Sequence, residues 1–413
     1  MGDNISKAVS HRLVCRMKNF CPLPWMHLHL HHSGTTKLCC ATISSTSYKT
    51  ITNNDAFNKT RLKMLKGERP DECYGNCYRI EDHGGFSKRQ FAIQGGKAFA
   101  NQYFTFQDAI DNTNADGTIK DGTMYDLDLR MGNTCDLACV MCGSTNSSKW
   151  AELERSINIK TGMEASTTIY KWWEDKEFWE QLKEILRHAK LVKFGGGEPM
   201  LLKQHKELLI FLKENNPACN IKYITNANNI TQEYIDLWQD FPKLRFVVSI
   251  DSIKDRVEYL RWPVKWDNII KNLKMLKQLK KKPSIAVNYT ITLFNILYVN
   301  DDLNWFLSHL DELGITRFHA SHVCHRPFFL HPGLLPDEIK ETIKLDLPDI
   351  GNQLGISGNP LNVDITNNIY SYLNSKSYDK ELLEKFAEYA KQLDSARGTN
   401  VLETFPRLKS IIN

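Results

Sequence analysis

The sequence predicts an α/β fold: an open, partial (β/α)6 barrel, preceded by a cysteine-rich segment and followed by a helical tail. Three observations predict it. From residue 124 onward, short apolar runs alternate with stretches whose apolar residues recur three and four apart, the pattern of parallel strands joined by helices. The eleven cysteines are unevenly spread, with six before residue 100, three between 135 and 142, and only Cys219 and Cys324 later. Finally, 413 residues with 42% hydrophobic content can bury a large core, or a core and a smaller module.

Six strands are expected in order: "MYDLDLR" from Met124, "KLVKF" from Lys190, "IKYIT" from Ile221, "LRFVVSID" from Leu244, "SIAVNYTIT" from Ser284 and "TRFHASHV" from Thr316. Helical patterns such as "EFWEQLKEILRHA", "HKELLIFLKEN" and "WDNIIKNLKMLKQL" lie between them. Six units fall short of a closed eight-stranded barrel, so the expected fold is open, with its reactive groups at the C-terminal ends of the strands. The tail from about Pro332 reads as mostly helical.

Composition excludes several classes. No apolar run approaches the length of about 18 residues that a membrane span needs, and "MGDNISKAVSHRLVCRMKNF" has no apolar block of a secretory signal, so the cytosol is the expected compartment. A charge of +5, from 53 basic and 48 acidic residues, does not imply nucleic acid, because the densest run, "KQLKKKP" at 277 to 283, reads as a helix end. In a reducing compartment, closely spaced cysteines bind metal or do redox chemistry more often than they form a disulfide scaffold.

The stretch "NTCDLACVMCG" places Cys135, Cys139 and Cys142 in the loop after the first barrel strand. Three thiolates hold three irons of a [4Fe-4S] cluster and leave the fourth iron open, whereas a structural cluster or zinc site closes with four ligands. An open iron can chelate a cofactor and pass it one electron.

These residues resemble the radical S-adenosylmethionine superfamily, whose motif is C-x3-C-x2-C in this loop of a partial barrel. "GGGEPM" resembles its GGEP motif, here Gly195, Gly196, Gly197, Glu198 and Pro199, whose backbone holds the amino group of S-adenosylmethionine. Glycine suits a backbone that must approach a ligand closely. "YITNAN" resembles its TN motif (Thr225, Asn226), and "SIDS" its SID motif (Ser249, Asp251), which faces the ribose and methionyl part. "EYLRWPVKW" resembles the segment in which an arginine, here Arg261, meets the methionyl carboxylate; Met141 stands where many members carry an aromatic residue.

A second resemblance lies upstream. "FCPLPWMHLHLHHSGTTKLCC" followed by "RLKMLKGERPDECYGNCYRIEDHGGFSKR" is similar to the SPASM/twitch module of a subset of that superfamily, with Cys-Pro-x-Pro-Trp, a hairpin ending in a cysteine pair, Arg61 through Gly67, then Cys73, Cys77, Glu81, Gly84, Ser87 and Arg89. The resemblance implies an auxiliary [4Fe-4S] cluster on Cys21, Cys73, Cys77 and one of Cys39 and Cys40; structural zinc on the same thiolates is the alternative. Here the module precedes the barrel, whereas in most members it follows. Histidines 27, 29 and 31 alternate with leucines and so share one strand face, read as a polar face or, less simply, a metal site. The expected organisation is a module over 1–95, a linker over 96–121, the barrel over 122–331 and a helical extension over 332–413.

The resemblance implies an enzyme that cleaves S-adenosylmethionine reductively to a 5′-deoxyadenosyl radical, fed by a reductant such as flavodoxin or ferredoxin, and removes hydrogen from a substrate carbon. Peptide or protein modification (epimerisation, crosslinking or dehydrogenation) is one expectation. A small metabolite such as a nucleoside, sugar or amino acid is another, and a non-catalytic iron-sulfur protein a third. Cys324, in "HASHVCHRPFF", reads as either a hydrogen donor to a substrate radical or an ordinary buried thiol. Near it, His319, His322, His325 and Arg326 suit an anionic substrate or a solvated loop. Cys15 and Cys219 read as structural.

Overall fold

Strand β1 (His27–Leu30) forms an antiparallel hairpin with β2 (Thr36–Lys37) and runs parallel to β3 (Asp126–Arg130). The other strands are β4 (Leu191–Gly195), β5 (Asn220–Thr225), β6 (Leu244–Ser249), β7 (Ser284–Ile291) and β8 (Ile315–Val323). They hydrogen-bond in the order β2-β1-β3-β4-β5-β6-β7-β8. The six expected strands are therefore β3 to β8, and the cysteine-rich segment adds two more at one edge. The computed structural model describes residues 18–40, 42, 51–94, 104–156, 165–343 and 365–412; Cys15, part of the expected linker and part of the tail lie outside them. Among the described residues no helix is long and apolar enough to cross a membrane.

The chain divides into two units, the first holding residues 1–132, 170–194 and 207–220. In β3, Leu127 and Leu129 are buried on one face while Asp126 and Asp128 stand on the other, opposite His27 and His29 of β1. The histidine face is thus a buried layer set against acids and not a solvated one: His27 Nδ1 meets Asp126 at 2.9 Å and His29 Nδ1 meets Asp128 at 3.4 Å. Arg130 at 2.9 Å and Lys193 at 2.6 Å also reach Asp128. Burial opposes its charge, yet His29, Lys193 and Arg130 together hold its carboxyl well below the usual carboxylate range. Helix Asp55–Leu65 starts where the Asn54 side chain accepts from Phe57 N (2.9 Å), and fully buried Arg61 ties it to the Pro24 carbonyl (2.9 Å). Residues 104–121 carry a helix, Phe106–Asp111, with a Thr105/Asp108 capping box, and its Phe106 packs edge-on against Phe20.

The second unit holds residues 133–169, 195–206 and 221–413. Its strands β5 to β8 are mutually parallel. Along β6, Leu244, Phe246 and Val248 are buried and alternate with exposed or half-buried Arg245, Val247 and Ser249. The buried face packs on helices: Phe246 stacks on Tyr223 at 5.2 Å and meets Trp238 of helix Gln232–Trp238, while Phe318 meets Phe306 of helix Val299–Leu313. Each such aromatic contributes roughly 2–3 kcal/mol by burial. The described tail is helical as expected, with helices Ile365–Asn374, Lys380–Arg397, Val401–Thr404 and Lys409–Ile412; the second ends at Gly398, whose φ of 64° suits glycine.

Candidate metal and cofactor site

The loop that carries Cys135, Cys139 and Cys142 leaves β3 and enters helix Ser148–Ser156. Its backbone is held from several directions. Ala138 N donates to the Trp262 carbonyl (2.7 Å) and Val140 N to that of Leu260 (2.8 Å). The carbonyls of Leu137, Cys139 and Val140 accept from Ser147 (2.6 Å), Trp150 Nε1 (2.7 Å) and Tyr389 Oη (2.8 Å). Arg397, at the end of helix Lys380–Arg397, donates to the carbonyls of Ala138 (2.6 Å) and Tyr259 (3.2 Å). A loop so fully paired presents its thiols in one arrangement.

Cys139 is buried, and Cys135 and Cys142 are half-buried. Burial pushes all three thiols up, Cys139 to about 12, although Arg261 and Arg397 oppose it there. Thiols in this setting keep their protons unless a cation takes the protons' place, which is what metal ligation does. Among the described residues no three Cys, His, Asp or Glu side chains converge closely enough for a single ion. Three thiolates carried by one loop are a donor set that fits three irons of a [4Fe-4S] cluster.

The loop after β4 is clamped onto this one. Gly196 has a φ of 114°, and a Cβ on Gly197 would lie 2.1 Å from the Thr134 carbonyl oxygen, which accepts from Glu198 N at 2.8 Å. Gly197 is thus required by the chain's own backbone, a different reason from the ligand approach expected. Pro199, also buried, opens a short turn whose Met200 carbonyl accepts from Tyr234 Oη (3.0 Å). Glu198 is 1% exposed; it accepts from Thr225 Oγ1 and Asn226 N, each at 2.9 Å. Burial nevertheless pushes its carboxyl up to about 8.

Asn226 Nδ2 also donates to Asp136 (2.9 Å), which Asn228 (2.6 Å) and Asn229 (2.8 Å) clasp as well. Between them Ala227 adopts a φ of 56°, a strained value for a residue with a Cβ, fixed by Thr225 Oγ1 and by Asn272, which donates to its carbonyl at 2.7 Å.

At the ends of β6 and helix Lys254–Leu260, Asp251 and Arg261 form a buried pair at 2.6 Å. Thr290 N donates to the other Asp251 oxygen (2.8 Å), and Arg261 Nη1 stands 3.7 Å from Cys139 Sγ. Burial pushes the Asp251 carboxyl up, and Arg261 opposes that shift. Half-buried Ser249 ends β6 beside Asn288; Met141, also half-buried, precedes Cys142. Cys324 follows β8, buried, with its thiol donating to the Arg326 carbonyl at 3.1 Å; burial pushes it to about 12, and Asp251 and Cys142 add to the shift. It therefore shares the electrostatic surroundings of the triplet.

In the first unit, Cys21, Cys39, Cys73 and Cys77 line one small pocket with Lys88 and Arg89. Burial raises the Cys21 and Cys73 thiols, and neighbouring thiols raise them further. Cys40 is exposed and does not line the cavity; Lys88 Nζ donates to it at 2.8 Å. Arg89 joins Glu81 (Nε to Oε1, 2.9 Å) and the Phe20 carbonyl (2.9 Å), which fixes its guanidinium at the pocket wall.

Three features escape motif reading: Asp136 with its asparagines, and Tyr389 and Arg397 on the tail. Only the run "TNANN" hints at the first.

The family model of the Radical SAM superfamily matches residues 129–303. No curated protein matches the chain. Among solved structures, anSMEcpe with bound AdoMet is 17% identical, covering 48% of this chain and 49% of that one at a TM-score of 0.37. SuiB of Streptococcus suis bound to S-adenosylmethionine is 17% identical over 70% of this chain and 60% of that one, at 0.33. The complex of SuiB with the precursor peptide SuiA is 14% identical over 93% and 74%, at 0.35. The chain spans about half the length of the anSMEcpe chain it matches.

Proposed function

We propose, from the premise that residues 129–303 are a radical S-adenosylmethionine superfamily domain, that this chain is an enzyme removing hydrogen from a carbon of a peptide or protein substrate. Such a domain implies S-adenosylmethionine and one [4Fe-4S] cluster, which when bound supply one-electron cleavage of a sulfonium and an organic radical for hydrogen abstraction. The observation that carries the reading is a loop with three buried or half-buried thiols, and no fourth, on a backbone paired to Trp262, Leu260 and Arg397.

In this reading Cys135, Cys139 and Cys142 are the cluster ligands. Gly195, Gly196, Gly197 and Pro199 offer backbone to the cofactor's amino group, with Glu198 and Thr225 bracing that loop from below. Asn226 couples it to Asp136 in the cysteine loop. Ser249 and Asp251 face the cofactor, and Arg261, a fixed guanidinium held by Asp251, receives a carboxylate. Met141 covers the third cysteine, and Cys324 is a candidate hydrogen donor.

An auxiliary [4Fe-4S] cluster on Cys21, Cys39, Cys73 and Cys77 is part of the proposal, supported by the shared cavity and the twitch-type resemblance. That resemblance also favours a peptide substrate, and we keep 1–95 as the module, 96–121 as the linker, 122–331 as the barrel and 332–413 as the extension.

The test is anaerobic reconstitution. About eight irons per chain are expected in wild type and about four in a Cys135→Ala, Cys139→Ala, Cys142→Ala variant, with 5′-deoxyadenosine formed from S-adenosylmethionine and dithionite by wild type alone. Fully loaded wild type that forms no nucleoside, with or without candidate peptides, would overturn the enzymatic reading.

A further inference from the structure

Two stretches of the second unit lie side by side in register. Ala138 N donates to the Trp262 carbonyl and Val140 N to that of Leu260, so the backbone on either side of Cys139 is bonded to the backbone on either side of Arg261. The side chains at the centre of this pairing meet: Arg261 Nη1 stands 3.7 Å from Cys139 Sγ and donates to it. Both residues are buried.

The guanidinium has little freedom to be elsewhere. Arg261 caps helix Lys254–Leu260, its own N donating to the Val257 carbonyl at 2.9 Å. Its Nη2 pairs with Asp251 at 2.6 Å, and that residue is fully buried, with Thr290 N donating to its carboxylate (2.8 Å) and Asn295 Nδ2 to its backbone carbonyl (2.7 Å). The planar fork carries five donors, and the ion pair leaves Nη1 free to turn to the sulfur. Nε, buried and without a hydrogen-bond partner among the described residues, is the donor left for the carboxylate assigned to Arg261 above. Arg397, the second cation near Cys139, is placed differently. It lies between the rings of Trp150 and Trp262, at 5.5 and 5.6 Å, and gives Nη1 and Nη2 to the Tyr259 and Ala138 carbonyls. Of the two, Arg261 is the one aimed at the sulfur.

We propose that Arg261 tunes the reduction potential of the cluster held by Cys135, Cys139 and Cys142, through Nη1 on the Cys139 sulfur, and that Asp251 trims the effect. The inference rests on the cluster reading and gives Arg261 a task that carboxylate binding does not require. An electron from a flavodoxin-class reductant adds one negative charge behind that sulfur; no bond forms or breaks and no proton moves. A hydrogen-bond donor and a cation at a ligating sulfur favour the added charge. Asp251 acts on Cys139 with the opposite sign to Arg261 and so opposes it. In a buried site such charges act strongly over short distances.

The test uses the full-length chain reconstituted with iron and sulfide, without S-adenosylmethionine or substrate, and reads the potential by electron paramagnetic resonance during a dithionite titration. The triplet's signal is the part missing from the Cys135→Ala, Cys139→Ala, Cys142→Ala variant, and any remaining signal is an internal control. Arg261→Gln is expected to lower the ratio of reduced to oxidised triplet at a fixed potential about tenfold, a fall of about 59 mV for one electron. Asp251→Asn is expected to raise that ratio, because the cation is left uncompensated. A merely structural role would not give opposite signs, since loosening the site moves both variants the same way. The double variant Asp251→Asn, Arg261→Gln strands no charge and is expected below wild type and above Arg261→Gln; it decides the matter where a single variant does not fold. Shifts of one sign in the two single variants, a double variant at the wild-type potential, or an equal shift in the control signal would overturn the inference. Wild type that takes up no iron at the triplet would remove the cluster reading and this inference together, whereas full iron with an unmoved potential would remove this inference alone.

Discussion

The two cysteine regions solve one problem in opposite ways. The triplet is compact in sequence, three thiols within eight residues, and its order comes from distant elements gripping its backbone. The quartet is dispersed over residues 21 to 77, and its order comes from convergence of its own side chains on one cavity. Each keeps two cations near its thiols, Arg261 and Arg397 by Cys139, Lys88 and Arg89 by the quartet. The difference teaches that a compact set of thiols takes its order from distant elements, whereas a dispersed set takes it from the packing of its own segment.

That contrast breaks or holds first on the quartet. If four dispersed thiols are stapled by a cluster, metal binding is folding free energy for residues 18–94. A Cys73→Ala, Cys77→Ala variant is then expected to lose about four irons per chain and more than about 10 °C of melting temperature, while the triplet variant loses the same iron and less than about 4 °C. Cys40→Ser, outside the cavity, is expected to change neither by more than about 0.5 kcal/mol. Equal losses of melting temperature from both cysteine sets would erase the distinction.

The next effect concerns the Asp251–Arg261 pair. Arg261→Leu leaves a fully buried carboxyl without its cation and is expected to cost about 3–5 kcal/mol in denaturant unfolding at neutral pH. Adding Asp251→Asn recovers part of that loss, because the stranded charge is gone. Full additivity of the two substitutions would mean that the pair is not coupled.

Arg397 separates external grip from mere packing. Arg397→Leu removes donors to the Ala138 and Tyr259 carbonyls and leaves both buried, for an expected cost of about 2–3 kcal/mol. Iron at the triplet is expected to dissociate faster in this variant under chelator, with the quartet's iron unchanged. Equal release from both would assign Arg397 to global stability alone.

The limits of sequence reading fall along the same line. The triplet and the six barrel strands were legible because both are local patterns, a fixed spacing and a period. Arg397 and Tyr389 were not, since they reach the cysteine loop from 259 and 249 residues away and nothing near them in sequence marks the contact. Asp136 lay hidden inside the motif, its role visible only once Asn226, Asn228 and Asn229 surround it. Histidines 27 and 29 read as a strand face but not as a buried one, because the acids that face them come from β3, 99 residues on in the first pair. Cys39 and Cys40 are neighbours, and only the local turn of the chain sends one inward and the other to Lys88.

The smallest of these effects tests the support beneath the external grip. His205 is fully buried, with Nε2 at 2.9 Å from Tyr223 Oη and Nδ1 at 3.4 Å from Tyr234 Oη, and Tyr234 in turn donates to Met200 in the Gly-Glu-Pro loop. Burial lowers its imidazole from 6.5 to about 3. A base whose folded pKa is depressed binds its proton more readily unfolded, so its contribution is complete above about 6.5 and is lost progressively as pH falls toward 3. At pH 5 the loss is about 2 kcal/mol, from 1.5 units at about 1.36 kcal/mol each. His205→Gln keeps a polar group for Tyr223 and cannot be protonated, so its unfolding free energy is expected to fall less between pH 7 and pH 5 than that of wild type, by about 2 kcal/mol. Parallel profiles would mean that the imidazole is hydrated or charged in the folded protein, and that the loop above it stands on a softer base than its hydrogen bonds suggest.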